Sequence, residues 1–141
     1  GGFSGSITEE LSRVINSFNF PCMIAEPGRF FASPAYDFVV QVIGKKDNYT
    51  YHVDDSIYHN LNCVVHDGFN LCDRLITSNI GEELHKSKLY GMTCDGADII
   101  SDAIYLPELS IGDWIYITRM GAYTNGAAVD FNGLICDRNG I

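Results

Sequence analysis

The sequence predicts a mostly β fold: a sandwich or barrel over residues 30–141, preceded over residues 1–29 by the end of an α/β unit. Three observations carry this expectation. Short β-branched and aromatic runs recur from Tyr36 onward, separated by turns rich in Gly, Asp and Asn. Ahead of them a single amphipathic pattern leads into one short apolar run, the order of a helix followed by a buried strand. With 46% hydrophobic and 19% charged residues in 141, the chain can bury one sizeable core.

The elements follow in order. Ser6 to Phe18 reads as a helix, because Ser6 and Glu9 make a capping-box pattern and Ile7, Leu11, Val14 or Ile15, and Phe18 recur on one face. After Pro21, the run Cys22 to Ala25 suits a buried strand, with Glu26-Pro27-Gly28-Arg29 just past its end. Tyr36 to Ile43 is a strand that stops at the Gly44 to Asn48 turn, and Tyr49 to Val53 and Leu61 to His66 are two more. Asn70 to Lys88 reads as a solvated connection with one weak helix. Ile99 to Leu106, Trp114 to Thr118 and Gly133 to Cys136 complete a mostly antiparallel set, with Trp114 and Tyr116 on one face and Ile115 and Ile117 on the other.

Charge narrows the partners. Eighteen acidic against nine basic residues, a net charge of -9, argue against nucleic acid and anionic membranes and favour a small cationic molecule. No apolar run approaches the roughly 20 residues that span a bilayer. Cys22, Cys63, Cys72, Cys94 and Cys136 are odd in number and match neither a zinc spacing nor a secreted disulfide framework. Reduced thiols in a cytoplasmic protein without a metal are therefore expected. The chain starts inside a glycine-rich stretch without Met, and it ends just after Asn139-Gly140, a hairpin signal with one residue of return strand. A fragment with its last strand cut short is expected.

The stretch Tyr90 to Asp98 carries the most chemistry. It sets a thiol beside a carboxylate between two glycines, in a segment too glycine-rich for a stable helix or central strand. A cysteine can deliver a proton, and a fixed carboxylate can hold a cationic group. The alternative for Cys94-Asp95-Gly96 alone is a buried cysteine before an Asp-Gly turn, and for Glu26 and Arg29 a surface ion pair. Arg13, Lys45, Lys46, Lys86 and Lys88 read as solvated surface charges.

Seven motifs then stand in one order: Gly-Gly-Phe-x-Gly, Glu-Pro-Gly-Arg, Asp55-Ser56-Ile57-Tyr58, Cys94-Asp95-Gly96-Ala97-Asp98, Leu106-Pro107-Glu108-Leu109, Gly112-Asp113-Trp114 and Gly121-Ala122-Tyr123-Thr124. In this the chain resembles the C-terminal part of the eukaryotic ornithine decarboxylases, members of the alanine-racemase-like decarboxylases that use pyridoxal 5'-phosphate (PLP). The resemblance implies a two-domain enzyme whose N-terminal α/β barrel carries the lysine that anchors the cofactor. It implies that Glu26 pairs with the pyridine nitrogen, that Arg29, Gly28 and Tyr123 serve the cofactor and its phosphate, and that Gly1, Gly2 and Phe3 cradle that phosphate. Cys94 would protonate the substrate carbon after decarboxylation, and Asp95 and Asp67 would receive the distal amine. The Cys-Asp loop would complete the active site of the other subunit of a homodimer, with Asp98 at the interface. The implied reaction is ornithine to putrescine and carbon dioxide in polyamine synthesis, with antizyme as a further partner. His66 stands in place of a family tyrosine and Gly68 in place of a histidine, which widens the distal side of the pocket. Two alternatives stay open: a regulatory paralogue such as an antizyme inhibitor, and a related decarboxylase acting on arginine, lysine or diaminopimelate.

Overall fold

The β runs join in one curled sheet. The structure is a computed structural model and describes residues 5–18, 22–24, 26–68, 70–77 and 82–136. Its elements in order are α1 (Gly5–Ser17), α2 (Gly28–Ala32), β1 (Phe38–Asp47), β2 (Thr50–Val53), α3 (Cys63–His66), β3 (Leu75–Thr77), β4 (His85–Tyr90), β5 (Ile99–Leu106) and β6 (Trp114–Ile117). Single turns of 3-10 helix lie at Ser33–Ala35, Asn60–Asn62, Leu71–Asp73 and Asn125–Ala127. No helix among the described residues is long and apolar enough to cross a membrane.

The strand order is β3-β6-β1-β2-β4-β5. All pairings are antiparallel except β2 with β4, where Tyr51 sits opposite Leu89 in parallel register. Strand β1 belongs to both halves of the sheet, and its register breaks twice against β2, between Val42 and Gly44 and between Lys45 and Asp47. Such irregularities bend a strand and increase its twist, which curls the sheet into a half-barrel around its apolar face. On β6 the alternation holds: Ile115 and Ile117 are fully buried while Trp114 and Tyr116 are exposed. These isoleucines join Val40, Val42, Tyr51, Val53, Leu89 and Ile104 in the core. Burying each such side chain is worth about 1.5–3 kcal/mol, which is the main force holding the curl closed.

Four of the expected elements are corrected. Leu61 to His66 is not a strand but a 3-10 turn running into α3. The backbone N–H of Leu61 is captured by Ser56 O (3.2 Å) and Asp55 Oδ1 (3.0 Å), so the local β preference of Val64 and Val65 is overridden by loop hydrogen bonds. The Asn70 to Lys88 connection contains β3 and most of β4, because β6 and β5 offer them paired edges. Gly133 to Cys136 holds only an isolated bridge between Phe131 and Leu134. Cys22 to Ile24 is irregular and exposed, with Ile24 81% accessible, since no strand among the described residues pairs with it. Ala25 and the Asn139-Gly140 hairpin signal lie outside the described residues. Helix α2 runs across the expected boundary at residues 29 and 30. Lys45 is not a freely solvated charge: its ammonium bonds Glu108 (3.0 Å) and Leu109 O (2.9 Å).

Candidate active site

Two groups of side chains gather at the loops of this sheet. The first forms where the segment after β6 crosses α2. Ser33 Oγ donates to Arg119 O (2.8 Å), Gly121 N to Ser33 O (3.0 Å) and Met120 N to Tyr36 O (2.7 Å). The approach is so close that a Cβ on Gly121 would lie 2.0 Å from Ala32 O, so only glycine fits. This crossing sets Tyr123 beside Arg29, whose guanidinium carbon stands 4.6 Å from the ring centroid. On the other side, Asp67 caps the C-terminal end of α3 and its Oδ2 lies 3.0 Å from Arg29 Nη2.

Arg29, Asp67 and Tyr123 thus line one cleft of about 460 Å³ with Glu26, Pro27, Gly28 and Phe30. The Gly28 N–H is turned onto Glu26 O at 2.8 Å. The Glu26 carboxylate has no partner among the described residues. A half-exposed guanidinium with donors beyond the one spent on Asp67, a phenol and an uncommitted carboxylate suit a ligand carrying both a phosphate and a protonated ring nitrogen. Beneath them, burial and the Asp67 charge push the Cys63 thiol up to about 11, so it serves packing rather than reactivity.

The second group is the loop after β4. Asp98, 1% exposed, accepts from Ser56 Oγ (2.9 Å), Thr93 Oγ1 (2.7 Å) and Thr93 N (3.1 Å) on Oδ2, and from Ile57 N (3.1 Å) on Oδ1. Gly91 must lack a side chain here, because a Cβ would fall 2.2 Å from the Asp98 carboxylate. The carboxylate therefore ties the 91–98 loop to the 55–58 loop within this chain. Asp55 does similar work: it accepts from Ser56 N, Leu61 N and Asn60 Nδ2, while Met92 N donates to its carbonyl. Cys94 and Asp95 stand at the tip, the thiol exposed and the carboxylate half-buried. The Tyr58 hydroxyl donates to Asp95, and that bond, followed by one from Ala97 N, holds the Asp95 carboxyl below its usual range.

Glu26, Gly28, Arg29, Asp67 and Tyr123 are thus brought to one cleft, and Cys94, Asp95 and Asp98 to one loop; the two groups share no lining residue. Gly1, Gly2 and Phe3 lie outside the described residues. Two residues that touch the Cys94–Asp95 pair or brace it were not singled out by sequence, Phe131 and Asn132, and a third, Tyr58, stood only within the Asp55-Ser56-Ile57-Tyr58 motif with no role of its own. The Asn132-Gly133 dipeptide was a legible turn signal.

Comparison with known proteins decides the family. Residues 29–121 match the family described as pyridoxal-dependent decarboxylase, C-terminal sheet domain. The chain belongs to this decarboxylase family. It is 36% identical to antizyme inhibitor 2 of Xenopus laevis over 94% of this chain and 36% of that protein. It is 37% identical to ornithine decarboxylase of Schizosaccharomyces pombe over 82% of this chain and 30% of that protein. Among solved structures it resembles the Paramecium bursaria Chlorella virus arginine decarboxylase bound to agmatine, with TM-score 0.79 and 36% identity over 95% of this chain and 39% of that one. A lysine/ornithine decarboxylase of Vibrio vulnificus complexed with cadaverine matches with TM-score 0.69 and 37% identity over 77% of this chain and 30% of that one. The chain spans about a third of the length of these relatives. Its curled sheet is the C-terminal sheet domain of a PLP-binding decarboxylase fold.

Proposed function

We propose that the protein containing this chain is a PLP-dependent decarboxylase of a basic amino acid, and that its reaction is L-ornithine to putrescine and carbon dioxide in polyamine synthesis. The observation that carries this reading is the convergence of Glu26, Arg29, Asp67 and Tyr123 on one cleft. When bound there, PLP supplies the electron sink for decarboxylation. Arg29 neutralises its phosphate, with the Tyr123 hydroxyl as a second donor, and the Glu26 carboxylate holds the protonated ring nitrogen. Residues 1–3 and Gly28 are assigned to the cofactor as well, with residues 1–29 as the end of the N-terminal domain and 30–141 as the C-terminal one. Asp67 and Asp95 hold the distal ammonium of the substrate, and Cys94 gives its proton to the substrate carbon that has lost carbon dioxide. Because the Cys94 loop and the cleft share no lining residue, the reading places them in one site across the two-fold axis of a cytoplasmic homodimer, with Asp98 at the interface.

The test uses the full-length protein. Arg29→Ala is expected to weaken PLP binding roughly 10–100-fold by equilibrium dialysis, and Arg29→Lys to recover part of it, since lysine keeps the charge but not the planar fork. Unchanged affinity in both would overturn the assignment of the cleft. The similarity to an antizyme inhibitor supports a second reading, a regulatory subunit that pairs with antizyme or an active partner. Release of carbon dioxide from labelled ornithine by the purified homodimer separates the two. The first is preferred because Glu26, Arg29, Asp67, Cys94, Asp95 and Tyr123 all stand together in this sequence.

A further inference from the structure

The isolated bridge between Phe131 and Leu134 closes a tight turn. Phe131 N donates to Leu134 O (3.0 Å) and Leu134 N to Phe131 O (2.9 Å), while Asn132 and Gly133 between them have φ of 51° and 79°. Positive φ at both central residues is what a two-residue type I′ turn requires, and Asn-Gly is its favoured pair. Turn chemistry accounts for asparagine or glycine at position 132. It does not account for where the side chain goes: Asn132 Nδ2 donates to Cys94 Sγ at 3.1 Å. The neighbouring Phe131 stacks flat on Tyr58, with ring centroids 3.8 Å apart and planes 8° from parallel, and the Tyr58 hydroxyl donates to Asp95. One turn therefore reaches both members of the Cys94–Asp95 pair, the thiol directly and the carboxylate through Tyr58.

We propose that Asn132 is a positioning residue for proton delivery by Cys94. Its amide N–H occupies a lone pair on the sulfur and leaves the S–H bond free to turn toward the substrate. When that bond breaks, the proton goes to the substrate carbon and the electron pair stays on sulfur, where the same N–H stabilises the charge until water returns a proton. Asn132 is the matching element to the Tyr58 hydroxyl, which fixes the neighbouring Asp95. The turn carries both contacts, so its register sets the thiol and the carboxylate together. This inference rests on the reading of Cys94 as the proton donor.

The experiment compares full-length wild type with Asn132→Gly, Asn132→Asp and Cys94→Ala. Glycine and aspartate both accept the left-handed position, so the turn is retained while the donor is deleted or replaced by a carboxylate oxygen. Two quantities are read: the iodoacetamide alkylation rate of Cys94 at about pH 7.5, followed by peptide mass spectrometry, and the fraction of turnovers that end in misprotonated product. Alkylation is expected to slow roughly 3–10-fold in Asn132→Gly and further in Asn132→Asp, because the attacking thiolate loses its donor. Both variants are expected to raise the misprotonated fraction toward that of Cys94→Ala, with KM little changed. Wild-type alkylation and product partition in both Asn132 variants, beside an altered Cys94→Ala, would sink this inference alone. Wild-type partition in Cys94→Ala would sink the proton-donor reading and this inference with it.

Discussion

At the scale of single residues, two carboxylates show how position sets chemistry. Asp98 is buried with four donors on its two oxygens, so Asp98→Ala strips partners from the buried Ser56 hydroxyl and from part-buried groups of Ile57 and Thr93. We expect a loss of about 2–4 kcal/mol in urea unfolding. A loss under about 0.5 kcal/mol would show that the carboxylate does not tie the two loops. Asp95 is lowered chiefly by the Tyr58 hydroxyl and then by Ala97 N. A carboxylate lowered by folding adds stability that is present above its ordinary value of 3.8 and is lost as pH falls through the folded value. Tyr58→Phe removes the larger cause. Its melting temperature should fall less steeply than that of wild type below about pH 4, and parallel acid limbs would contradict the assignment. Asp55 has the opposite sign: burial raises it, so its contribution diminishes as pH rises from 3.8 through the raised value.

At the scale of elements, the close crossing of α2 by the segment after β6 is what aligns Arg29 with Tyr123. Gly121→Ala would drive a Cβ to 2.0 Å from the Ala32 carbonyl, a backbone group that cannot swing aside. The expected cost is about 1–3 kcal/mol in stability, with weaker PLP binding by the full-length protein. Gly96→Ala is the control, because its Cβ would meet nothing within 4 Å and should shift stability by about 0.5 kcal/mol or less. Equal costs in the two variants, measured by chemical unfolding, would remove the crossing from the account. The exchange of an expected strand for α3 belongs to this scale too. Asp55 and Ser56 take the Leu61 N–H that a strand would have needed, and the resulting helix ends at Asp67, within reach of Arg29.

At the scale of the whole molecule, the proposed homodimer makes a counting prediction. Mixing full-length Asp95→Ala with a variant lacking the cofactor-anchoring lysine expected upstream pairs two inactive proteins. Sites shared across a two-fold axis should recover roughly a quarter of wild-type activity after random reassociation. No recovery, with heterodimers verified by native mass spectrometry, would contradict the shared site. The net charge of -9 adds a second expectation for a cationic substrate. Salt should lower kcat/KM more than kcat, since screening weakens capture rather than the steps after binding.

The β character, the alternation of Trp114 to Ile117 and the order of the motifs were readable from the amino acids alone, because side-chain period and turn residues are local properties. The sequence also placed Cys94-Asp95 in a loop, since two glycines so close together suit neither a helix nor a packed strand. That Leu61 to His66 winds into a helix and that Leu75 to Thr77 is a strand emerged from the folded chain, because the first depends on capture of the Leu61 N–H by the 55–56 loop and the second on pairing with β6. The same holds at the site. Asn132 reads in sequence as half of a turn, and the fold brings its amide within 3.1 Å of a thiol 38 residues away. Hydrogen bonds to distant groups leave no periodic trace in a sequence, so the residues that hold the Cys94–Asp95 pair became legible only once the loops were brought together.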